Sequence, residues 1–156
     1  MSNKEFSLSE HLRRKSRHEK RVPLALETYD RVLPKVISAI QKAIVSPEND
    51  TGVTDVVIFG SWARRNWRTG PTANSDLDLM AYRPTFLDGK GEVKIEEIIQ
   101  SCIDEENLDK ESIHFREIMV WSGLDGDDLV EIKNGDDLVT KHGYIIVSAG
   151  TIFLSD

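Results

Sequence analysis

The chain of 156 residues has one cysteine, Cys102, so no disulfide framework can hold it together. That usage fits a reducing compartment, and a cytoplasmic location is the expectation. Cys102 falls among apolar residues at helical spacing, which suits core packing better than reactivity. No apolar run approaches the length of a membrane span, and the segment after Met1 lacks the apolar stretch of a signal peptide. With 39% hydrophobic and 30% charged residues, the composition is that of an ordinary globular chain, large enough for a core without disulfides or structural metal.

Positive charge is scarce outside one segment. The net charge is −7, yet residues 1–22 carry seven Lys/Arg against three Glu, a surplus of +4. Residues 23–156 then hold 13 basic against 24 acidic residues, or −11. Such a body is poorly suited to broad contact with a nucleic-acid backbone, because that affinity rests on neutralising phosphates. It is compatible with recruiting Mg²⁺ to hold a phosphorylated ligand. Two regions are expected: a basic arm at 1–22, polar and of a composition that suits partial disorder, and a domain at 23–156. The arm "HLRRKSRHEKR" reads first as a solvated segment, with RNA, membrane or partner contact as the functional alternatives.

Apolar residues at 26, 29, 33, 36, 37, 40 and 44 predict a helix, bent or restarted at Pro34 and stopped before Pro47. "TDVVIFG" (54–60) predicts a strand buried on both faces, and "LDLMAY" (77–82) a second. "LDGKG" (87–91) reads as a loop before an amphipathic helix through Val93 and Ile103. "SIHFREIMVW" (112–121) alternates as a third strand. "GDDLV" occurs at 126–130 and 135–139, too closely spaced for a solenoid, and reads as two acidic turns or helix starts. "GYIIVSAGTIFL" (143–154) predicts a hairpin around Ala149-Gly150. The fold class expected is α/β (α+β), a mixed sheet with helices packed on it.

The chemistry concentrates in "FGSWARRNWRTGPTANSDLDLMAY" (59–82). A strand ending in Gly60-Ser61 and passing into "WARRN" is the layout of a helix N-terminus facing a ligand. Glycine permits close backbone approach, first-turn N–H groups lack internal partners, and phosphate oxygens suit them. A serine helix cap has the same appearance. Two residues apart on a strand, Asp76 and Asp78 project from one face while Leu77 and Leu79 take the other. Two carboxylates so placed repel unless a cation joins them, and hard oxygen ligands suit Mg²⁺.

With those residues set out, "FGSWAR…SDLDLMAY" resembles the signature of polymerase-β-like nucleotidyltransferases, in particular the small stand-alone minimal members. The matching positions are Gly60, Ser61, Ala63, Arg64, Ser75, Asp76, Asp78 and Leu79, within elements matching in order over about 26–121. The resemblance implies that fold, with Gly60, Ser61, Arg64 and Ser75 at a nucleoside triphosphate, ATP being the expected one. It implies Mg²⁺ or Mn²⁺ on Asp76 and Asp78, and transfer of a nucleoside monophosphate to an acceptor with release of pyrophosphate. The acceptor would be a small molecule, a partner protein or an RNA end. Some minimal members resemble the antitoxin halves of toxin–antitoxin pairs, so a helical partner chain is an expectation.

Three features depart from the family pattern. Fourteen residues separate Ser61 from Asp76, more than is usual. Arg65 stands where glycine is common, and Trp67 and Arg68 add a cationic, aromatic surface that could grip phosphates or stack on a base. The family's further carboxylate, on a later strand, has no aspartate here: the segment is "SIHFREIMV", with His114 in the apolar bracket and Glu117 nearby. On a continuous strand those two have opposite parity. The third catalytic position is thus Glu117, His114 or empty, and the last alternative is a degenerate module that binds nucleotide or a partner without catalysis.

Overall fold

Helix α1 (Leu26–Val45) forms because Tyr29, Val32, Val36, Ile37, Ala39, Ile40 and Ala43 recur every three or four residues, and all are buried. The computed structural model describes residues 22–83, 87–122 and 143–154, and the helix is unbroken across its whole range. The bend or restart expected at Pro34 does not occur. Pro34 lies on the exposed side, so the carbonyl it leaves without a helical donor can be hydrated.

Strands β1 (Asp55–Phe59), β2 (Leu77–Tyr82), β3 (Ile118–Ser122), β4 (Ile145–Ser148) and β5 (Ile152–Leu154) build one mixed sheet in the order β3-β2-β1-β4-β5. Strand β1 is antiparallel to both β2 and β4, β2 is parallel to β3, and β4 and β5 form the expected hairpin. The parallel pair is connected through helix α2 (Gly89–Asp104), as a parallel crossover demands. This helix starts ahead of the expected apolar pattern, because the Asp88 carboxylate accepts from the Gly91 N–H at 2.8 Å and caps it. The chain is therefore a mixed α+β protein, a five-stranded sheet with two α-helices among the described residues.

Alternation divides the sheet cleanly. Val56, Ile58, Leu77, Leu79, Ala81, Val120, Ile145 and Val147 face the helices and share the main core with them. Val57, Tyr82, Tyr144 and Ile146 form a second buried cluster on the other face, joined by Met80. Strand β1 is accordingly buried on both sides, as its apolar run predicts. No helix among the described residues is long and apolar enough to cross a membrane.

Two expected elements are shorter than their sequence patterns. The segment after β1 is not an α-helix but a four-residue 3-10 turn, Gly60–Ala63. The third strand covers only 118–122, since 112–117 is irregular. Ser112 adopts a left-handed conformation (φ 58°), and the His114 N–H turns away to bond the Ala73 carbonyl at 2.8 Å. Regular pairing with β2 begins only where the Leu77 N–H meets the Glu117 carbonyl at 2.9 Å. Residues 1–21 of the basic arm and both "GDDLV" repeats lie outside the described residues.

Candidate functional site

Phe59, the last residue of β1, pairs with Asp78 of β2, so the turn that follows starts beside that aspartate. Gly60 has φ +71°, a conformation that disfavours side chains, and a Cβ on it would lie 2.5 Å from Asp78 Oδ2. The turn is anchored by Trp62, which is fully buried, stacks on Tyr29 at 5.6 Å and meets Phe115 edge-on at 5.4 Å. The Tyr29 hydroxyl donates to the Trp62 carbonyl at 2.7 Å. Burial, with the nearby Asp30 charge adding to it, pushes the Tyr29 phenol up to about 12. The sequence signal for this anchor was only an aromatic residue after Gly-Ser.

The basic-aromatic stretch between turn and β2 is an ordered loop. The Asn66 carboxamide oxygen accepts from the N–H groups of Arg68 (3.0 Å) and Thr69 (2.7 Å). Gly70 is required there, because a Cβ would meet the Asn66 and Arg64 carbonyl oxygens at 2.1 and 2.7 Å. Arg64 is half-buried and donates from Nη1 to the Thr69 carbonyl at 3.2 Å. Arg65 instead points outward and grips Asp30 of α1 with two bonds, 2.8 and 2.7 Å. Ser75 Oγ accepts the Thr72 N–H at 2.8 Å, which closes the loop just before Asp76. An open cleft of about 730 Å³ lies over this loop, lined by Ser61, Arg64, Trp67, Arg68 and Ser75 among others. Trp67 is 63% exposed, with the Arg68 guanidinium 5.3 Å from its ring centre.

Asp78 shares its sheet face with Phe59 and Met119, its register partners on either side. Asp76 precedes β2 by one residue. Arg116 holds it with a two-pronged contact, Nε to Oδ1 at 3.0 Å and Nη2 to Oδ2 at 2.8 Å. Burial raises the Asp78 carboxyl above its ordinary value; the Asp76 charge adds to this, and Arg116 and Arg64 partly offset it. The Arg116 guanidinium is held charged by that contact with Asp76. Arg116 was missed in the sequence, because it meets Asp76 only through the parallel pairing of β3 with β2, forty positions along the chain.

The two candidates for a third catalytic group are separated. His114 Nδ1 lies 3.2 Å from Asp109 Oδ1, and the exposed ring rims a pocket of about 370 Å³ whose floor is Ile103, Leu108 and Ile113. Those floor residues belong to the helix-side core, the side of the sheet opposite Asp78. Glu117 is exposed and lies alongside Asp76 at the entry to β3, contributing to the field around Arg116. Among the described residues no group of three or more His, Cys, Asp and Glu side chains gathers as a metal site.

Chemically, the arrangement joins a glycine turn, two hydroxyls and two arginines at a cleft to a pair of carboxylates at the turn's edge. The donor set is one a hard divalent cation could use: two carboxylates lie close together, and Asp78 bears a charge that burial disfavours and a cation would relieve. Comparison of the chain with family models, with curated proteins and with solved structures finds no match.

Proposed function

We propose that the chain is an Mg²⁺-dependent nucleotidyltransferase that moves a nucleoside monophosphate from a nucleoside triphosphate, ATP the first candidate, to an acceptor. The observation that carries this is the contact between Gly60 and Asp78. It brings the glycine turn and the Asp78 carboxylate together, although they are eighteen positions apart in sequence. Ser61 and Arg64 would hold the β- and γ-phosphates from the cleft, and Ser75 keeps the loop's far end in place. Asp76 and Asp78 would hold Mg²⁺, which when bound supplies charge neutralisation at the phosphates. The bond between the α- and β-phosphates breaks, an acceptor oxygen bonds the α-phosphorus, and pyrophosphate leaves. Most of the catalysis in such a transfer is positioning and electrostatics. Glu117 is better placed than His114 to take the acceptor's proton, because it lies beside Asp76, whereas His114 faces Asp109.

Two observations favour a second reading, a degenerate domain that binds nucleotide or a partner without turnover. Both oxygens of Asp76 are engaged by Arg116, and Met119 rather than a carboxylate flanks Asp78 on β3. Incubation with α-labelled ATP, CTP, GTP or UTP and Mg²⁺ or Mn²⁺, with RNA and protein acceptors, separates the two. Transfer that disappears in Asp76→Asn and Asp78→Asn supports the enzyme. Transfer that survives both changes refutes the site, and nucleotide binding without transfer to any acceptor establishes the degenerate reading. The helical partner chain expected from the resemblance enters as one of the protein acceptors, and binding of RNA through residues 1–22 is tested by charge reversal in that arm.

A further inference from the structure

Asp76 and Arg116 differ in freedom as well as in charge. The Asp76 side chain is 20% exposed and fixed at the start of β2, while Arg116 is 69% exposed. Arg116 reaches Asp76 from an irregular segment whose backbone is tied at both ends, by His114 N–H to Ala73 and by Leu77 N–H to Glu117. The arginine can therefore swing into solvent without moving the sheet. A fork contact engages both carboxylate oxygens at once and sets a positive charge against the approach of a cation. Asp78 accepts no such contact among the described residues.

We propose that Arg116 and a divalent cation compete for the Asp76 carboxylate, so that metal binding requires release of the guanidinium. This rests on the metal site of the proposed function. Without metal, two carboxylates and one guanidinium sum to −1, one positive charge short of balance. A divalent cation balances both carboxylates and frees Arg116 at the rim of the site. Arg116 is thus a positioning residue for Asp76 in the metal-free protein and a brake on metal loading. The brake is weak, because an exposed ion pair yields readily, and it is overcome most easily when metal arrives with an anionic ligand.

Mn²⁺ binding to the full chain without nucleotide, followed by the paramagnetic resonance signal of free Mn²⁺ and repeated in competition with Mg²⁺, tests this. Arg116→Gln should bind Mn²⁺ about fivefold more tightly than wild type, the scale of an exposed pair. Arg116→Lys, which keeps the charge, should bind it close to wild type. The same Arg116→Gln change placed in an Asp76→Asn background should alter nothing, because the shared carboxylate is gone. Circular dichroism melts of each variant confirm that the chain is folded. Binding that depends on Asp76 and Asp78 but is no tighter in Arg116→Gln overturns the competition and leaves the metal site standing. Binding indifferent to both Asp76→Asn and Asp78→Asn removes the metal site, and the competition with it.

Discussion

A Cβ placed on Gly60 would stand 2.5 Å from Asp78 Oδ2, closer than any real contact allows. Alanine there also meets a backbone at φ +71°, a left-handed conformation that costs a side chain about 1–2 kcal/mol. Gly60→Ala should lower the melting temperature by about 4 °C or more. Part of that loss is the clash and part the backbone. Gly60→Ala in an Asp78→Ala background should therefore cost less than in wild type, and calorimetry on the four proteins measures the difference. Equal costs in both backgrounds would show that the carboxylate does not press on the turn.

The turn is held from below by Tyr29, whose hydroxyl donates to the Trp62 carbonyl. Tyr29→Phe keeps the ring stack and leaves that buried carbonyl without its donor, for a loss of about 1 kcal/mol, read as a lower denaturant midpoint at unchanged slope. The folded phenol titrates at about 12, above its ordinary value of 10.0. A group whose folded value is raised stabilises the protein fully below the unfolded value and loses that contribution as pH climbs through the folded one. Stability should hence fall between about pH 10 and 12, and Tyr29→Phe should flatten that part of the profile.

Asp78 gives the opposite dependence. Its carboxyl lies above the ordinary value of 3.8, chiefly through burial and then through Asp76, so the ionised form opposes folding. That cost is absent below the unfolded value and complete above the folded one. Asp78→Asn should gain stability relative to wild type as pH rises from about 3 to 7 in metal-free buffer, with saturating Mg²⁺ narrowing the gain. Melts across that range in chelator and in Mg²⁺ test it, and a difference that does not change with pH would show that the carboxylate is well solvated.

The strands and the hairpin were legible in the sequence, because period-two alternation and buried apolar runs are local signals. Strand order was not, since β4 joins β1 from almost ninety residues away. Helix α1 overrode the Pro34 signal because the proline falls on the exposed side, where an unmade bond can be hydrated. "SIHFREIMVW" overstated its strand, as alternation does not report the left-handed turn at Ser112 or the His114 bond to Ala73. At the candidate site, sequence spacing picked out Gly60 and Asp78, which the fold brings together. Arg116 and the helix-side placement of His114 depend on parallel pairing with β2, which no local pattern encodes.

Neighbouring arginines should separate by function. Arg64 lines the cleft and its charge is felt at Asp78, whereas Arg65 is tied to Asp30 on the surface. Arg64→Ala should weaken nucleoside triphosphate binding by about tenfold, the scale of one charge-assisted hydrogen bond. Arg65→Ala should leave binding unchanged. Calorimetric titration of both with ATP decides it, and equal losses would mean that the loop is disturbed rather than a phosphate contact removed.

Trp67 gives the cleft a broad exposed ring beside two arginines and two hydroxyls, and on the proposed function that ring would stack on the nucleotide's base. Stacking on an aromatic side chain is worth about 1–3 kcal/mol per base, so Trp67→Ala should weaken ATP binding by about five- to a hundredfold. Inorganic tripolyphosphate presents the same charge without a base, and its affinity should be unaffected by the change. Trp67→Phe should recover most of the ATP affinity. Equal weakening of both ligands by Trp67→Ala would instead assign Trp67 to holding the Arg68 side chain over the loop, with the base bound elsewhere.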